Sequence, residues 1–371
     1  MSKSVHFGKP LVKSSSIRDI PMQKSIILFE SAIKSKYTKT TYQNSLNRFK
    51  KHFIIKDFDS LISLDSQKIQ EMIEDYVLYL RRENKSHGLI KNVVCALELF
   101  FSMNDIIINW KKIKKMYPEQ QKPIGEKPYS TEQVNQILKL TNNLKYQAFV
   151  NFMCASGVRV GSFEELQVKH IQDFKNGSKS VKVYAGSMQE YYTFIHAEAV
   201  KVLEAYFEYR RKNGENITPD SWVFPQKNLV KPIKPQSLVA GFSRLTSKVL
   251  ERTKVEGRFE TMATHGFRKR FATVLKSNKE INLSVSEKLL GHSTTVKLDN
   301  VYFKPALEVM FAEYEKAIPD LVLNESTKLR LELEKKNNEL SSLEMKDRRI
   351  EQLENALSRV ENTMNELKSR F

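Results

Sequence analysis

The segment THGFRKRFAT, residues 264–273, decides the fold of this 371-residue chain. His265 and Arg268 stand three positions apart in it, so both side chains fall on one face if a helix begins at His265. An HxxR pair alone is commonplace. Its meaning depends on which other residues accompany it along the chain.

Three other short segments in the same half of the chain carry candidate functional residues. They are CASGVRVGSFEEL (154–166) with Arg159, LLGHST (289–294) with His292, and DNVYFKP (299–305) with Tyr302. Each segment is weak alone, since a lone tyrosine is more often part of a core and Gly-His can simply end a helix. Their order is more specific: an arginine, HxxR about a hundred residues later, Gly-His, and a tyrosine ten residues after that histidine.

Taken together, these segments resemble the tyrosine recombinases, also called the phage integrase family, over roughly residues 24–318. The resemblance implies a helical core-binding domain joined to a mixed α/β catalytic domain, with double-stranded DNA as partner. It implies site-specific recombination, in which Tyr302 attacks a DNA phosphate and leaves a 3′-phosphotyrosyl bond and a free 5′-hydroxyl. The segment YAGSMQEYYTF, the YFKP ending and the tail look most like an archaeal branch of integrases.

The chemistry explains why these residue types are needed. A phosphodiester resists attack through its negative charge, which must be neutralised as the pentavalent state forms. Arg159 and Arg268 offer planar paired donors to the nonbridging oxygens, a geometry that lysine lacks. We expect His265 to act as general base toward Tyr302, whose ordinary pKa of about 10 keeps it protonated at neutral pH. The resemblance makes His292 a donor to a phosphate oxygen.

The sequence departs from the family's pattern at two places. Ser162 stands where the family often has a glutamate three residues after the first arginine. The family also uses a lysine in a β-hairpin to protonate the leaving 5′-oxygen, and a gapless match puts Gly186 at that position. Lys182 or Lys179 could take the role in a shifted register, and otherwise the acid is another group.

Composition favours a nucleic-acid partner. The net charge is +18 with a pI near 9.6, and the whole excess lies before residue 324, because residues 324–371 hold ten basic and ten acidic side chains. A surface this basic attracts DNA and releases its counterions. In the first half, the exposed basic positions expected to contact phosphates are Lys39, Lys50, Lys51, Arg81, Arg82, Lys85, Lys91, Lys111, Lys112, Lys114 and Lys115.

Other classes of protein are not indicated. No apolar run approaches the roughly 20 residues that span a bilayer, and the N-terminus has no signal-peptide pattern, so we expect a cytoplasmic protein with no membrane partner. Cys95, Cys154 and seven scattered histidines lack metal-ligand spacing, and no phosphate loop is present. We expect no metal, no cofactor and no small-molecule substrate.

The fold class expected is mainly α with a small β-hairpin. The expected organisation is a flexible basic arm (1–22), a helical core-binding domain of four or five helices (23–117), a Pro-rich linker (118–129), a catalytic domain (130–320) and a coiled-coil tail (324–371). Ser180–Tyr184 and Tyr191–Ile195 are the expected strands, around a turn at Gly186 and Ser187. Ser130 and Gln133 form a capping box in outline.

The tail carries apolar residues on a seven-residue grid that includes Leu329, Leu343, Ile350 and Leu357, with a register slip near Asp347. It either joins protomers or packs on its own catalytic domain.

We expect a homo-oligomer, a tetramer holding two DNA sites, that integrates or excises a mobile element. The alternatives are a type IB topoisomerase-like enzyme and a catalytically inactive DNA-binding regulator of the same fold.

Overall fold

The computed structural model describes residues 24–120, 127–227, 230–249, 254–255, 258–292 and 303–368. The chain divides into two compact units, Met1–Lys122 and Pro123–Phe371. The arm expected at residues 1–22 lies outside the described residues, and so does half of the expected linker, residues 121–126.

The first unit is entirely helical within its described residues. Its helices are α1 (Lys24–Ser31), α2 (Lys36–His52), α3 (Phe58–Ile62), α4 (Ser66–Arg82), α5 (His87–Met103) and α6 (Trp110–Lys115). Side chains of Ser35, Asp57, Asp65, Ser86 and Asn109 accept backbone N–H groups at the starts of α2 to α6, which fixes where these helices begin. The described residues of this unit form six helices where four or five were expected, and the additional one is the five-residue helix α3.

The apolar stripe of α4 is buried as its spacing predicts. Ile69, Ile73, Val77 and Leu80 are at most 5% exposed and pack with α5 in one core. Four of the basic positions expected to contact phosphates form ion pairs, and two of these pairs are Lys39 with Glu30 at 2.6 Å and Lys85 with Glu83 at 3.9 Å. Lys112 lies 2.7 Å from Glu74 of α4, and Lys114 lies 2.7 Å from Glu98 of α5. Acids that are distant in sequence therefore balance part of the charge run at residues 111–115.

The second unit joins nine helices to two small sheets among its described residues. The helices are α7 (Thr131–Lys139), α8 (Leu144–Ser156), α9 (Ala197–Lys212), α10 (Pro235–Val249), α11 (His265–Ser277), α12 (Leu283–Leu289), α13 (Leu307–Glu315), α14 (Ile318–Leu321) and α15 (Glu325–Lys368). The expected capping box is present at the start of α7, where Ser130 and Gln133 exchange hydrogen bonds of 3.2 and 3.0 Å.

A three-stranded antiparallel sheet has the order β1 (Ile171–Asp173), β2 (Lys179–Val183), β3 (Tyr191–Ile195). The expected hairpin is confirmed, with its first strand displaced by one residue, whereas β1 was missed because three residues are too short to show alternation. Val183 pairs with Tyr191, and Lys182 pairs with Tyr192. A second, two-stranded sheet joins β4 (Lys254–Val255) and β5 (Arg258–Phe259).

Helix α8 is the centre of this unit. Every residue from Ala148 to Ser156 is buried, and a helix that is apolar all round is typical of a core element. It packs against α9, α11 and β3. Because α8 ends just before Arg159, and α11 begins at His265, this packing brings two of the sequence motifs together.

The tail is one helix, α15, of 44 residues, which corresponds to about 66 Å at 1.5 Å per residue. Its first turns face the rest of the unit: Lys335 lies 4.0 Å from Glu280, and Leu331 and Glu339 line a cavity of about 760 Å³ there. Apolar residues along the helix remain 53–60% exposed, namely Leu329, Leu333, Leu340, Leu343, Ile350, Leu353, Leu357 and Val360.

Candidate active site

Arg159 is placed by a helix end that only glycine can form. Helix α8 ends at Gly157, whose φ is +59°, and a Cβ atom there would lie 2.1 Å from the ring of Phe271 on α11. The left-handed backbone and the missing side chain let the chain turn sharply against α11. Arg159 follows two residues later, half-buried at the start of a 3₁₀ turn, Val160–Glu164.

Arg268 enters from the other side of this contact. It lies in the first turn of α11 and is only 4% exposed. Its Nη1 donates to the carbonyl of Gly157, and its Nη2 donates to the carbonyl of Leu290 at 2.6 Å. Arg268 thus joins the end of α8 to the end of α12.

The Gly-His pair ends helix α12 with a Schellman motif. The backbone N–H of Gly291 donates to the carbonyl of Lys288 at 2.9 Å, and the backbone N–H of His292 donates to the carbonyl of Glu287 at 3.0 Å. Gly291 has the left-handed φ of +59° that this motif requires. The motif turns the chain so that His292 faces back toward Arg268. The interpretation of Gly-His as a helix end is therefore confirmed, and the role of His292 as a site residue stays a prediction.

Three site residues from three separate segments converge around Gly291. Nη2 of Arg159 donates to the carbonyl of Gly291 at 3.1 Å, and Nη2 of Arg268 lies 2.9 Å from Nε2 of His292. Two guanidiniums beside one another form an anion-binding group suited to a phosphate.

The contacts of His292 define which ring nitrogen carries the proton. Arginine has no acceptor, so Arg268 donates to Nε2, and Nδ1 donates to the carboxylate of Glu287 at 2.8 Å. Burial lowers the pKa of His292, the charge of Glu287 offsets this only in part, and Arg268 adds to the lowering. The imidazole is therefore neutral at pH 7. Donation from Nε2 to a phosphate oxygen stays a prediction, and it requires a proton that Nε2 does not carry in this arrangement.

His265 and Tyr302 are the two remaining predicted residues. His265 is the first residue of α11 and is exposed, whereas Arg268 is buried, so one end of the HxxR pair faces solvent and the other the protein. Tyr302 lies outside the described residues. Its neighbour Phe303 packs against the core cluster that contains Phe271 of α11.

Ser162 stabilises the Arg159 turn through the backbone. Its hydroxyl donates to the carbonyl of Arg159 at 2.7 Å and is buried. Glu164 and Glu165 are both exposed. Where the family often has a glutamate, this chain holds the backbone of Arg159 rather than its guanidinium.

Sequence reasoning missed Glu287. Its carboxylate is buried between Lys276, at 2.5 Å, and His292. Desolvation opposes its charged form, but hydrogen bonds from Lys276 and His292 outweigh that effect and keep the pKa of Glu287 below its usual value. A glutamate five residues before the histidine was the available signal, although glutamates are common in helices.

The described residues bring together no group of three or more His, Cys, Asp or Glu side chains that could hold a metal. In the same residues, no helix combines the length and apolar character needed to cross a membrane.

The fold, the paired arginines and the histidine at a helix end are similar to those of the catalytic domain of tyrosine recombinases. Residues 129–308 match the phage integrase family, and this part of the chain belongs to that family. No curated protein matches the sequence. The match lies within the second unit. The likeness of the first unit to known proteins therefore rests on solved structures.

Solved structures extend the likeness to most of the chain. The Tn1549 transposon integrase in complex with circular intermediate DNA is 15% identical, with a TM-score of 0.51 over 78% of this chain and 98% of that one. The XerH recombinase bound to difH substrate is 18% identical, with a TM-score of 0.50 over 72% and 80%. A lambda integrase dimer bound to a COC′ core site is 13% identical, with a TM-score of 0.50 over 74% and 91%. These likenesses confirm the predicted fold class.

Proposed function

We propose that this chain recombines DNA at specific sites through a covalent bond between Tyr302 and a DNA phosphate. The observation that carries the proposal is the convergence of Arg159, Arg268 and His292 around Gly291. These residues belong to three segments, and the first and last of them are more than a hundred residues apart in the sequence. Tyr302 would attack phosphorus, and His265 at the exposed start of α11 would accept its proton.

The two arginines have complementary environments for this reaction. Arg268 is held rigidly by two carbonyls, so its remaining N–H groups keep a fixed direction. Preorganised donors stabilise developing charge without reorganising during the reaction. Arg159 is half-buried and keeps donors available to a nonbridging oxygen.

The biological use we propose is integration or excision of a mobile element in the cytoplasm. A transposon integrase and lambda integrase are among the similar structures, each bound to DNA. Strand exchange needs two DNA sites, which four protomers would hold. The exposed apolar residues of α15 beyond Glu339 would contribute to this assembly through a second copy of the chain.

A suicide-substrate experiment tests the covalent step. A duplex that binds the protein is selected from a random-sequence pool, nicked beside the cleavage position, and incubated with the full chain. Wild type should form an SDS-resistant adduct, whereas Tyr302→Phe should form none because it lacks the nucleophilic oxygen. Tyr209→Phe, whose side chain is exposed on α9, is the matched control and should behave like wild type.

The outcomes separate the alternatives. An adduct with Tyr302→Phe equal to wild type contradicts the nucleophile assignment. Tight binding with no wild-type adduct on any nicked site indicates the inactive regulator. Relaxation of supercoiled plasmid without paired sites indicates the topoisomerase-like enzyme.

A further inference from the structure

The turn between β2 and β3 holds a tyrosine against the Arg159 segment. Tyr184 has φ of +54°, a left-handed conformation that bulky residues rarely adopt. Its carbonyl accepts the N–H of Ser187 at 3.0 Å, and its ring packs against the core of the second unit. Its hydroxyl lies 3.6 Å from the position a Cβ on Gly161 would occupy, two residues after Arg159.

A second tyrosine connects this hydroxyl to the other site residues. The rings of Tyr184 and Tyr191 are 6.3 Å apart, and the ring of Tyr191 covers Gly291, where a Cβ would lie 2.5 Å from it. The carbonyl of Gly291 is the acceptor for Arg159. Tyr184 therefore lies beside the segment that carries Arg159, and its side chain is only partly buried.

The charges of the site act on this phenol. Burial raises the pKa of Tyr184, while Arg159 and Arg268 counteract that rise. A phenolate formed here would lie beside two guanidiniums. Its proton could therefore be given up during a reaction at a lower cost than at an ordinary buried tyrosine.

The two lysines of strand β2 lie elsewhere. Lys182 sits between Val181 and Val183, which are both buried, so it points to the opposite face of the strand from Val183 and its partner Tyr191. Its ammonium lies 3.1 Å from Glu190, whose carboxylate also accepts the N–H of Gly186 at 2.7 Å. Lys182 thus stabilises the turn from its outer side.

Lys179 is at the far end of the strand. It lies four residues from Val183, or about 13 Å at 3.3 Å per residue. Its ammonium lies 3.0 Å from both Asp173 and Glu204, which hold it against α9. Acidic side chains thus hold both lysines, Lys182 at the turn and Lys179 at the far end of the strand.

We propose that Tyr184 is the general acid that protonates the leaving 5′-oxygen, a role that rests on the proposed function. As Tyr302 forms its bond to phosphorus, the bond from phosphorus to the 5′-oxygen breaks and its electron pair stays on that oxygen. The proton of Tyr184 moves to the same oxygen and leaves a phenolate beside Arg159 and Arg268. In rejoining, the phenolate takes the proton back from the 5′-hydroxyl.

The test compares two leaving groups on the selected suicide duplex. One duplex carries an ordinary phosphodiester and the other a 5′-bridging phosphorothiolate, whose thiolate leaving group is far less basic than an alkoxide and departs without an acid. Tyr184→Phe should slow cleavage of the phosphodiester by roughly 10²- to 10⁴-fold. On the phosphorothiolate it should cleave within a few-fold of wild type, which also shows that the variant folds.

Three matched variants complete the experiment. Tyr192→Phe, on the outer face of the hairpin, should match wild type on both duplexes, and Arg268→Lys should be slow on both because charge at phosphorus develops with either leaving group. The proposal is overturned if Tyr184→Phe cleaves the phosphodiester normally, if it is equally slow on both duplexes, or if Lys182→Met shows the selective rescue. Absence of an adduct with wild type on both duplexes overturns the proposed function itself.

Discussion

The carboxylate of Glu287 lies 2.8 Å from Nδ1 of His292, five residues further along the chain. The Schellman motif at the end of α12 makes this contact possible, because it turns His292 back over the last turn of its own helix. The carboxylate fixes the ring so that Nε2 faces Arg268. One helix end thus supplies the histidine, its orientation and its protonation state.

Replacing Glu287 with glutamine should weaken the site without removing His292. Glutamine keeps the size of the side chain but loses its charge, so the orientation of the imidazole is held less firmly. We expect adduct formation to slow by roughly 10- to 100-fold, the range typical for partners that orient a histidine. Single-turnover cleavage of the nicked duplex measures this, with DNA binding as the control, and an unchanged rate would show that His292 needs no such partner.

The same variant gives a pH-dependent difference in stability. The folded-state pKa of Glu287 is depressed below 4.5, so its contribution is present above that pH and is lost as the pH falls through the folded pKa. Protonation of His292 at mildly acid pH leaves the carboxylate charged, so the contact persists there. Thermal melting should separate wild type from Glu287→Gln at pH 6 to 7, and the gap should narrow as the pH falls below 4.5 and through the folded pKa of Glu287. A gap that widens toward pH 3 would contradict this assignment.

The two arginines of the RKR sequence should separate into a chemical and a structural role. Arg270 is as buried as Arg268. Its Nη2 donates to the backbone carbonyl of Asp320 at 2.8 Å and to the hydroxyl of Thr131 at 3.0 Å, which joins α11 to α14 and α7. Arg268→Lys should reduce cleavage per folded molecule by roughly 10²- to 10³-fold, and loss of its bonds to the carbonyls of Gly157 and Leu290 should also lower the melting temperature. Arg270→Lys should lower the melting temperature and leave cleavage per folded molecule, measured at low temperature, close to wild type. If Arg270→Lys reduces cleavage per folded molecule and Arg268→Lys does not, the two roles are exchanged.

Local signals predicted more of this molecule than non-local ones. The capping box at Ser130 and the strand Tyr191–Ile195 were both evident from neighbouring residues. Strand β1 was not, because it is recognised only through its pairing with β2. The ion pair of Lys112 with Glu74 was missed for the same reason, since it joins two helices that the sequence separates.

The sequence predicts a set of candidate site residues but not their geometry. Spacing identified Arg159, Arg268 and His292, yet it could not show that Arg268 holds the carbonyl of Leu290 or that His292 accepts from Arg268. The hairpin illustrates the limit further. Lys182 was a candidate by its place in the strand, and only the pairing with Tyr192 shows that it lies on the outer face.

Gly157 should tolerate no side chain. An alanine there would meet both the left-handed φ of +59° and the ring of Phe271 at 2.1 Å. We expect a loss of roughly 2–5 kcal/mol, the sum of about 1–2 for the conformation and about 1–3 for overpacking. Gly214→Ala is the matched control, since Gly214 has φ of +85° with nothing within 4 Å of the added carbon. Denaturant midpoints should fall much further for Gly157→Ala, and equal shifts would show that the contact with Phe271 is unimportant.

The apolar face of α15 should join two copies of the chain. Ile350, Leu353, Leu357 and Val360 follow the alternating three- and four-residue spacing of a coiled coil and are each more than half exposed. In a parallel pair, Arg349 of one helix would face Glu354 of the other. Truncation after Glu339 keeps the residues that line the cavity with the catalytic unit and removes this face, so the mass in solution, measured by light scattering, should fall to that of the monomer.

Point variants of the full chain make this test independent of truncation. The double variant Leu353→Asp with Leu357→Asp places charges on the apolar face and should also give a monomer, because two buried carboxylates per helix cannot be desolvated together. Ser358→Asp, one position off that face and exposed, should retain the mass of wild type. If wild type, truncated chain and double variant all contain the same number of copies, α15 makes no contact between copies, and its contacts with Glu280 and the cavity are its structural role.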